Sequence, residues 1–412
     1  MVLVDKLASD LYVNVVQYKR KIQAELEKQL KTKEIIVLTG MRRTGKTTLL
    51  KMLFEKIESN NKVFLDLQNI LDRTIFEEID YNNIFNNLKP YNISSESKAY
   101  IFIDEIQFKP DVVGAIKYLY DHYEVKFFIT GSSSFYLKNL FPESLAGRKI
   151  IFELYPLYFE EFLTFKGIQS EFNQNFHIKV KTKNSVEYQK LIRYYDEYLI
   201  FGGFPQVVLE NDNNQKELIL KDIFNSYFQI DILNLADFKK LDAFKKIIFL
   251  LLERVGSKLD ISKLASQIGV TRETIYSYIN LLEGTYFIQL ITPFTKNKDR
   301  EISGTKKVYL CDNGFVNLFS KVSKGNLFEN AVFQNVKKYG KVNYYQKRSG
   351  VEIDFIINDK DNSKTAIEVK SNPDRNDLNR LKRISEQLNI KDYFIVSHQF
   401  TELENSIAAY LI

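Results

Sequence analysis

The chain reads as an α/β protein with a parallel-sheet core, a helical segment, a small helical unit ending in a hairpin, and a mixed α/β tail. Three observations predict this. Short apolar runs alternate with helical stretches through the first third, the pattern of strands joined by crossover helices. A glycine-containing turn joins the first of those strands to the helix after it. Beyond Cys311, strand patterns return after a long stretch that reads as helix after helix. At roughly 150 residues per domain, a chain of 412 residues holds two or three domains.

The strands expected in the core are Ile35–Thr39, Lys62–Leu67, Ala99–Ile103, Val125–Thr130 and Lys149–Leu154. Each is a short apolar run of the kind buried inside a parallel sheet. Helical patterns follow Lys46, Pro110 and Phe135. From Pro156 to about Ala236 come Phe159–Lys166, Ser185–Ile200 and Gln215–Leu235, with a break at Phe201-Gly-Gly-Phe-Pro205. Residues from Asp237 to about Tyr309 form the small unit, and Cys311–Ile412 the tail. The expected domains are therefore 1–155, 156–236, 237–310 and 311–412.

Composition excludes several classes. With 45% hydrophobic and 27% charged residues the chain is globular, not disordered. Seven Pro and 16 Gly are too few for collagen-like or linker-rich designs. No internal repeat points to a solenoid or propeller. The apolar run Ile247–Leu252 is far short of the ~20 residues of a membrane-spanning helix. The first residues lack the basic start and apolar run of a signal peptide, and Cys311 has no partner for a disulfide, so a cytoplasmic protein without membrane contact is expected. Net charge is +6, from 58 basic and 52 acidic side chains. Lys239–Leu310 alone holds 13 basic against 7 acidic residues, which marks where an anionic partner would dock.

Gly40-Met-Arg-Arg-Thr-Gly-Lys-Thr47 satisfies G-x-x-x-x-G-K-[ST], directly after a strand and opening a helix. Its glycines let backbone N–H groups turn inward as an anion nest, and the helix N-terminus adds partial positive charge. Gly40, Arg43, Thr44, Gly45 and Thr48 line the loop. Lys46 reaches the β- and γ-phosphates, and Thr47 is placed to ligate Mg²⁺. Strand Ala99–Ile103 leads into Asp104 and Glu105; Asp104 would complete the Mg²⁺ shell and Glu105 would activate the attacking water. No N-K-x-D guanine signature follows, so ATP is preferred. The next strand ends in Thr130-Gly-Ser132, whose hydroxyls can bond the γ-phosphate or the water; a plain Ser/Gly turn is the alternative. Arg148, just before the fifth strand, is either a solvated arginine or a finger completing a neighbouring subunit's site, which implies a homo-oligomer.

On these residues, 35–155 resembles an AAA+ ATPase core, with the helices from Phe159 to Leu235 as its lid. With Leu145-Ala-Gly-Arg and Phe201-Gly-Gly-Phe-Pro205 added, nearly the whole chain resembles a bacterial and archaeal group of AAA+ ATPases. That group carries a C-terminal domain of unknown function related to PD-(D/E)XK nucleases. The resemblance to signalling ATPases whose lid Gly-x-Pro touches adenine implies that role for Pro205.

Ser262–Ile268, Gly269 and Thr271–Leu282 read as helix-turn-helix, with Gly269 as the left-handed turn residue and Thr271 as N-cap. Ile275, Ile279 and Leu282 form the apolar face; Arg272, Tyr276 and Asn280 project from another, as on a recognition helix. The hairpin that follows carries Lys296, Lys298 and Arg300 at its tip and Lys306 and Lys307 in its return, the layout of a winged helix. A packing module between domains is the alternative to DNA contact.

In the tail, Glu329 lies on an expected helix, Asp354 on strand Val351–Ile357, and Glu368 and Lys370 on one face of another strand. Asp354 and Glu368, joined by Glu329, would hold Mg²⁺, and Lys370 would orient or deprotonate a water. Cleavage and mere binding both fit. The Lys-containing Val180–Lys183 reads as a solvated loop. The leading expectation is a Mg²⁺-dependent AAA+ ATPase acting on DNA. The alternatives are a nucleotide-state signalling switch with a protein partner, and a DNA-binding regulator with little turnover.

Overall fold

The computed structural model describes residues 18–132, 147–170, 172–232, 241–295, 298–347, 349–359, 361 and 363–412. The helix expected after Phe135, the unit boundary at Asp237 and the wing residue Lys296 lie outside them.

Five parallel strands form the first sheet: β1 Ile35–Thr39, β2 Lys62–Asp66, β3 Ala99–Asp104, β4 Val125–Gly131 and β5 Lys149–Glu153, in the order β2-β3-β4-β1-β5. Alternate residues point to opposite faces. On one face Ile35, Val37, Ile101, Ile103, Phe127 and Ile129 cluster with Val112, Ile116 and Leu119 of the helix Val112–His122. On the other, Ile36, Leu38, Phe102 and Phe128 cluster with Leu49, Leu50 and Leu53 of the helix Lys46–Glu55. Each such side chain taken from water contributes about 1.5–3 kcal/mol. Covering both faces is what makes the inner strands continuous apolar runs. β4 lies between β1 and β3, with Leu38 level with Thr130 and Ile103 level with Ile129. The ends of these three strands thus form one edge, where polar side chains collect.

The helices Phe159–Phe165, Ser185–Phe201 and Asn213–Ser226 follow. Beyond Ser226 the chain widens into a π-helical turn, Tyr227–Ile232, so Gln215–Leu235 is not one uniform α-helix. The wider turn lets Tyr227 stack on Phe287 while Asp231 reaches Ser132 and Arg42. Val180–Lys183 is no solvated loop. It overlaps the helix Phe176–Thr182, and Lys183 Nζ donates to the Leu403 carbonyl at 2.7 Å because the nearby tail offers acceptors.

The helices Ile261–Ile268 and Arg272–Gly284 flank Gly269, which is left-handed (φ 80°), and the Thr271 side chain accepts from Thr274 N–H as an N-cap. β6 Ile288–Ile291 pairs antiparallel with β7 Lys307–Leu310. Their connection is too long for a tight turn and contains the short helix Lys298–Ser303. Lys298 and Arg300 therefore lie on a helix and not at a hairpin tip. Lys307 turns inward and is 4% exposed.

The tail holds β8 Lys341–Gln346, β9 Glu352–Asn358, β10 Lys364–Lys370, β11 Asp392–Ser397 and β12 Ser406–Ala408, in the order β12-β11-β10-β9-β8. The sheet is mixed: β8, β9 and β10 pair antiparallel, while β10, β11 and β12 pair parallel. The helix Arg375–Gln387 covers one face with Leu378, Leu381 and Ile384. The helix Lys324–Val336 packs on the other side. One apolar core runs from Met41 through the helical segment and the β6–β7 hairpin to Tyr410 and Leu411.

Candidate functional site

The turn after β1 takes its shape from three backbone positions. Gly40 has φ 150°, and a Cβ there would stand 2.1 Å from the Leu154 carbonyl oxygen, so only glycine fits. Arg43 adopts φ 67°, a conformation unusual for a side-chain-bearing residue. Gly45, at φ 96°, precedes the helix that begins at Lys46. Lys46 is buried and donates from Nζ to the carbonyls of Gly40 (2.9 Å) and Met41 (3.0 Å). Burial lowers its pKa, while Glu105 and Asp231 act in the opposite direction. Thr44 Oγ1 donates to the Met41 carbonyl at 2.8 Å, and Arg20 Nη1 donates to the Thr44 carbonyl at 2.9 Å. Arg43 meets Asp222 at 3.6 Å, and Thr48 is exposed on the first helical turn.

Asp104 and Glu105 end β3 beside this turn. Burial raises the Asp104 pKa, and hydrogen bonds from the Thr130 and Thr47 hydroxyls oppose the rise. Thr47 and Asp104 thus meet, an all-oxygen pair suited to a hard cation. Glu105 is left-handed (φ 55°), with its N–H donating to Thr130 Oγ1 at 3.0 Å. Gln107 Nε2 bonds Glu105 Oε2 and also donates to Ser132 Oγ at 3.0 Å. The polar residues expected from β1, β3 and β4 therefore converge.

Sequence reasoning missed two partners here. Asp231, on the π-helical turn, accepts from Ser132 Oγ at 2.6 Å and from Arg42 Nε at 3.3 Å. Burial raises its pKa, and Arg42 opposes. Arg20 Nε donates to Glu161 at 2.9 Å, pinning the turn to the helical segment. Neither lies at a fixed spacing from the motif, so no local pattern could reveal them.

Pro205 stands next to the turn: its Cγ would be 4.0 Å from a Cβ on Gly45. The Gly202-Gly203 break before it is held by Asp312, which accepts from Gly203 N–H at 2.6 Å and Gly314 N–H at 2.8 Å. Burial pushes the Asp312 pKa up to about 7. Arg148 lies at the opposite end of the sheet, where its carbonyl accepts from Ile35 N–H and its guanidinium pairs with Asp121 at 2.9 Å.

Arg272, Tyr276 and Asn280 share an exposed side of their helix, opposite buried Ile275, Ile279 and Leu282. Asn280 also lines a cavity of about 550 Å³ together with Glu153, Tyr155 and Lys337. It thus faces the junction with the first sheet and the tail.

In the tail, continuing the β9–β10 register from Phe355 opposite Ile367 puts Asp354 opposite Glu368. Asp354 Oδ2 accepts from Val369 N–H at 2.8 Å. Glu368 pairs with Arg380 at 2.8 Å and Lys370 at 3.4 Å. Glu329 accepts from Tyr309 OH at 2.6 Å and pairs with Lys307 at 3.4 Å. Lys307 also pairs with Glu352. Burial, then the Asp354 charge, push Glu329 up to about 7 and Glu368 up to about 8. Burial alone would lower the Lys307 pKa, but Glu329, Asp354 and Glu352 outweigh it and raise it. Among the described residues no three His, Cys, Asp or Glu side chains are gathered to hold one ion. Glu329, Asp354 and Glu368 are accordingly not gathered as three ligands about one point: Glu329 is held by Tyr309 and Lys307, and Glu368 by Arg380 and Lys370.

The sheet order and the turn after β1 define a P-loop protein of the AAA+ ATPase fold. The family described as AAA domain matches residues 32–163. Two domains of unknown function, DUF8612 and DUF4143, match residues 192–326 and 324–407. The chain belongs to the same family as the uncharacterized protein MJ1544 of Methanocaldococcus jannaschii, being 31% identical over 347 residues, 82% of this chain and 75% of the relative. An uncharacterized protein of Haemophilus influenzae is 29% identical over 343 residues, 78% of this chain and 79% of its own. Among solved structures, the Aeropyrum pernix ORC2 protein superposes with a TM-score of 0.41 at 12% identity, covering 78% of this chain and 95% of that one. The Thermotoga maritima RuvB Holliday junction branch migration motor gives 0.32 at 15%, covering 74% and 96%. Among the described residues no helix is long and apolar enough to cross a membrane.

Proposed function

We propose that this chain is a Mg²⁺-dependent AAA+ ATPase that hydrolyses ATP and acts on DNA. The observation that carries the reading is the convergence of Lys46, Thr47, Asp104, Glu105, Thr130 and Ser132 at the ends of three adjacent strands. The turn's N–H groups and Lys46 take the phosphates, with Lys46 exchanging its carbonyl partners for phosphate oxygens. Thr47 and Asp104 hold Mg²⁺, which supplies charge neutralisation at the phosphates. Glu105 accepts the proton of the attacking water, and Gln107 steers its carboxylate. Thr130 and Ser132 offer hydroxyls to the γ-phosphate, and Pro205 packs on the adenine. Arg148 completes the site of a neighbouring copy. In this reading residues 156–236 are the lid, 237–310 a winged helix, and 311–412 a domain of PD-(D/E)XK type. A single buried free cysteine suits a cytoplasmic setting.

DNA contact rests on Arg272 and Tyr276, exposed on the second helix of the helix-turn-helix. Lys296, Lys298 and Arg300, later in the same unit of sequence, add positive charge. Phosphate neutralisation releases counterions, so DNA affinity is expected to fall steeply with salt and to weaken in Arg272→Ala. The test is ATP turnover and Mg²⁺-dependent cleavage across single-stranded, duplex and branched DNAs. Stimulation of ATP turnover by one of them supports the reading; absence of binding at low salt removes DNA from it.

One observation favours a second reading, in which the tail binds without cutting. Lys307 and Arg380 pair with Glu329 and Glu368, carboxylates that a catalytic metal would need. The chain is then a nucleotide-dependent switch for DNA or a protein partner, and no DNA in the panel is cut.

A further inference from the structure

Asp231 belongs to none of the elements that make up the P-loop or its neighbouring strand ends, yet it is buried among their cationic and hydroxyl side chains. Its two carboxylate oxygens are taken separately. Oδ1 accepts from Ser132 Oγ at 2.6 Å, and Oδ2 accepts from Arg42 Nε at 3.3 Å. It is 5% exposed, and its charge acts on Lys46. A cationic guanidinium, an ammonium and a hydroxyl are also what a terminal phosphate recruits. Two polar atoms at this place are buried without a hydrogen-bond partner among the described residues: Arg42 Nη2 and Gln107 Oε1. The first is a spare donor on the same guanidinium that Asp231 engages.

We propose that the Asp231 carboxylate competes with the γ-phosphate of bound nucleotide for Arg42 and Ser132, making Asp231 a nucleotide-sensing switch. The inference rests on the ATPase reading above and deepens it. Two anions cannot share those partners at low dielectric without strong repulsion, so γ-phosphate binding displaces Asp231. ADP lacks that phosphate and leaves the contact in place. The displaced group sits on a π-helical turn, a geometry often found at functional sites. The first residue of that turn, Tyr227, hydrogen-bonds Thr285 Oγ1 at 2.6 Å and stacks on Phe287 at 5.1 Å. Thr285 directly follows the second helix of the helix-turn-helix, and Phe287 directly precedes β6. Movement at Asp231 therefore reaches the DNA-facing unit through packed side chains.

The test compares the full-length parent with Asp231→Asn, which keeps the shape and loses the charge. Binding of fluorescent ATP and ADP analogues is titrated with Mg²⁺ present. Amide hydrogen exchange is followed at 227–232 and 285–288. Asp231→Asn is expected to raise the preference for the ATP analogue over the ADP analogue by about tenfold, since a like-charge clash costs on the order of a factor of ten or more. In the parent, the ATP analogue but not the ADP analogue should alter exchange at 227–232. A purely structural role for Asp231 would lower stability without changing the ATP-to-ADP ratio. An unchanged ratio in a folded Asp231→Asn overturns the proposal. So does a parent whose exchange at 227–232 is blind to the γ-phosphate, which keeps the test decisive if the variant does not fold. Lys46→Ala separates the two levels. If the parent binds neither analogue, the ATPase reading itself fails; if binding is lost only in Lys46→Ala while the ratio stays flat, only the switch fails.

Discussion

Asp312 shows how much one buried carboxylate can fix. Its two oxygens accept the N–H groups of Gly203 and Gly314, joining the break beside Pro205 to the start of the tail. An ordinary aspartate titrates near 4, and burial pushes this one to about 7. Between those values the folded chain binds more protons than the unfolded one, so stability attributable to Asp312 falls as pH rises from about 4 to about 7, by at most about 1.4 kcal/mol per pH unit. Asp312→Asn offers one acceptor for two donors and is expected to lower stability by roughly 1–3 kcal/mol. It should also flatten the pH dependence over that window, measured by denaturant unfolding at several pH values. A parent-like slope would remove the burial argument. The P-loop residues were legible because Gly40–Thr47 carries its whole argument in consecutive positions. Asp231, Asp312 and Lys307 were not, because each meets partners brought from distant segments by packing alone.

At the scale of elements, the Phe201-Gly-Gly-Phe-Pro205 break is the most constrained junction. A Cβ on Gly203 would stand 2.4 Å from the Leu157 carbonyl oxygen, and that carbonyl belongs to backbone that cannot step aside cheaply. Gly203→Ala is therefore expected to cost on the order of 3 kcal/mol, read as a lower denaturation midpoint with unchanged slope. A variant as stable as the parent would show that the junction relaxes. The helix-turn-helix was readable from Gly269 and Thr271 because turn and cap chemistry is local. The β6–β7 connection was not, since the helix Lys298–Ser303 stands where a tight hairpin tip was expected. The π-helical turn was equally hidden, because its wider winding answers to Ser132, Arg42 and Phe287.

For the whole molecule, the parallel sheet separates two sites on one strand pair. Arg148 stands at the start of β5, while the P-loop follows the end of β1 beside it. Five residues of strand span about 15 Å, so Arg148 cannot reach the phosphates of its own chain. A role for it in hydrolysis requires a second copy. Mixing Arg148→Ala with Lys46→Ala protein should restore part of the ATP turnover that each lacks alone, because a mixed interface pairs an intact P-loop with an intact arginine. No recovery despite demonstrated subunit exchange would confine Arg148 to a role within its own chain. Hydrolysis at the converged strand ends is decided by measuring ATP binding and Mg²⁺-dependent turnover together in Glu105→Gln and Lys46→Ala. Glu105→Gln is expected to bind ATP like the parent and to lose turnover by about 100-fold or more, the usual worth of a positioned base, while Lys46→Ala loses both. Turnover at the parent rate in Glu105→Gln would contradict it.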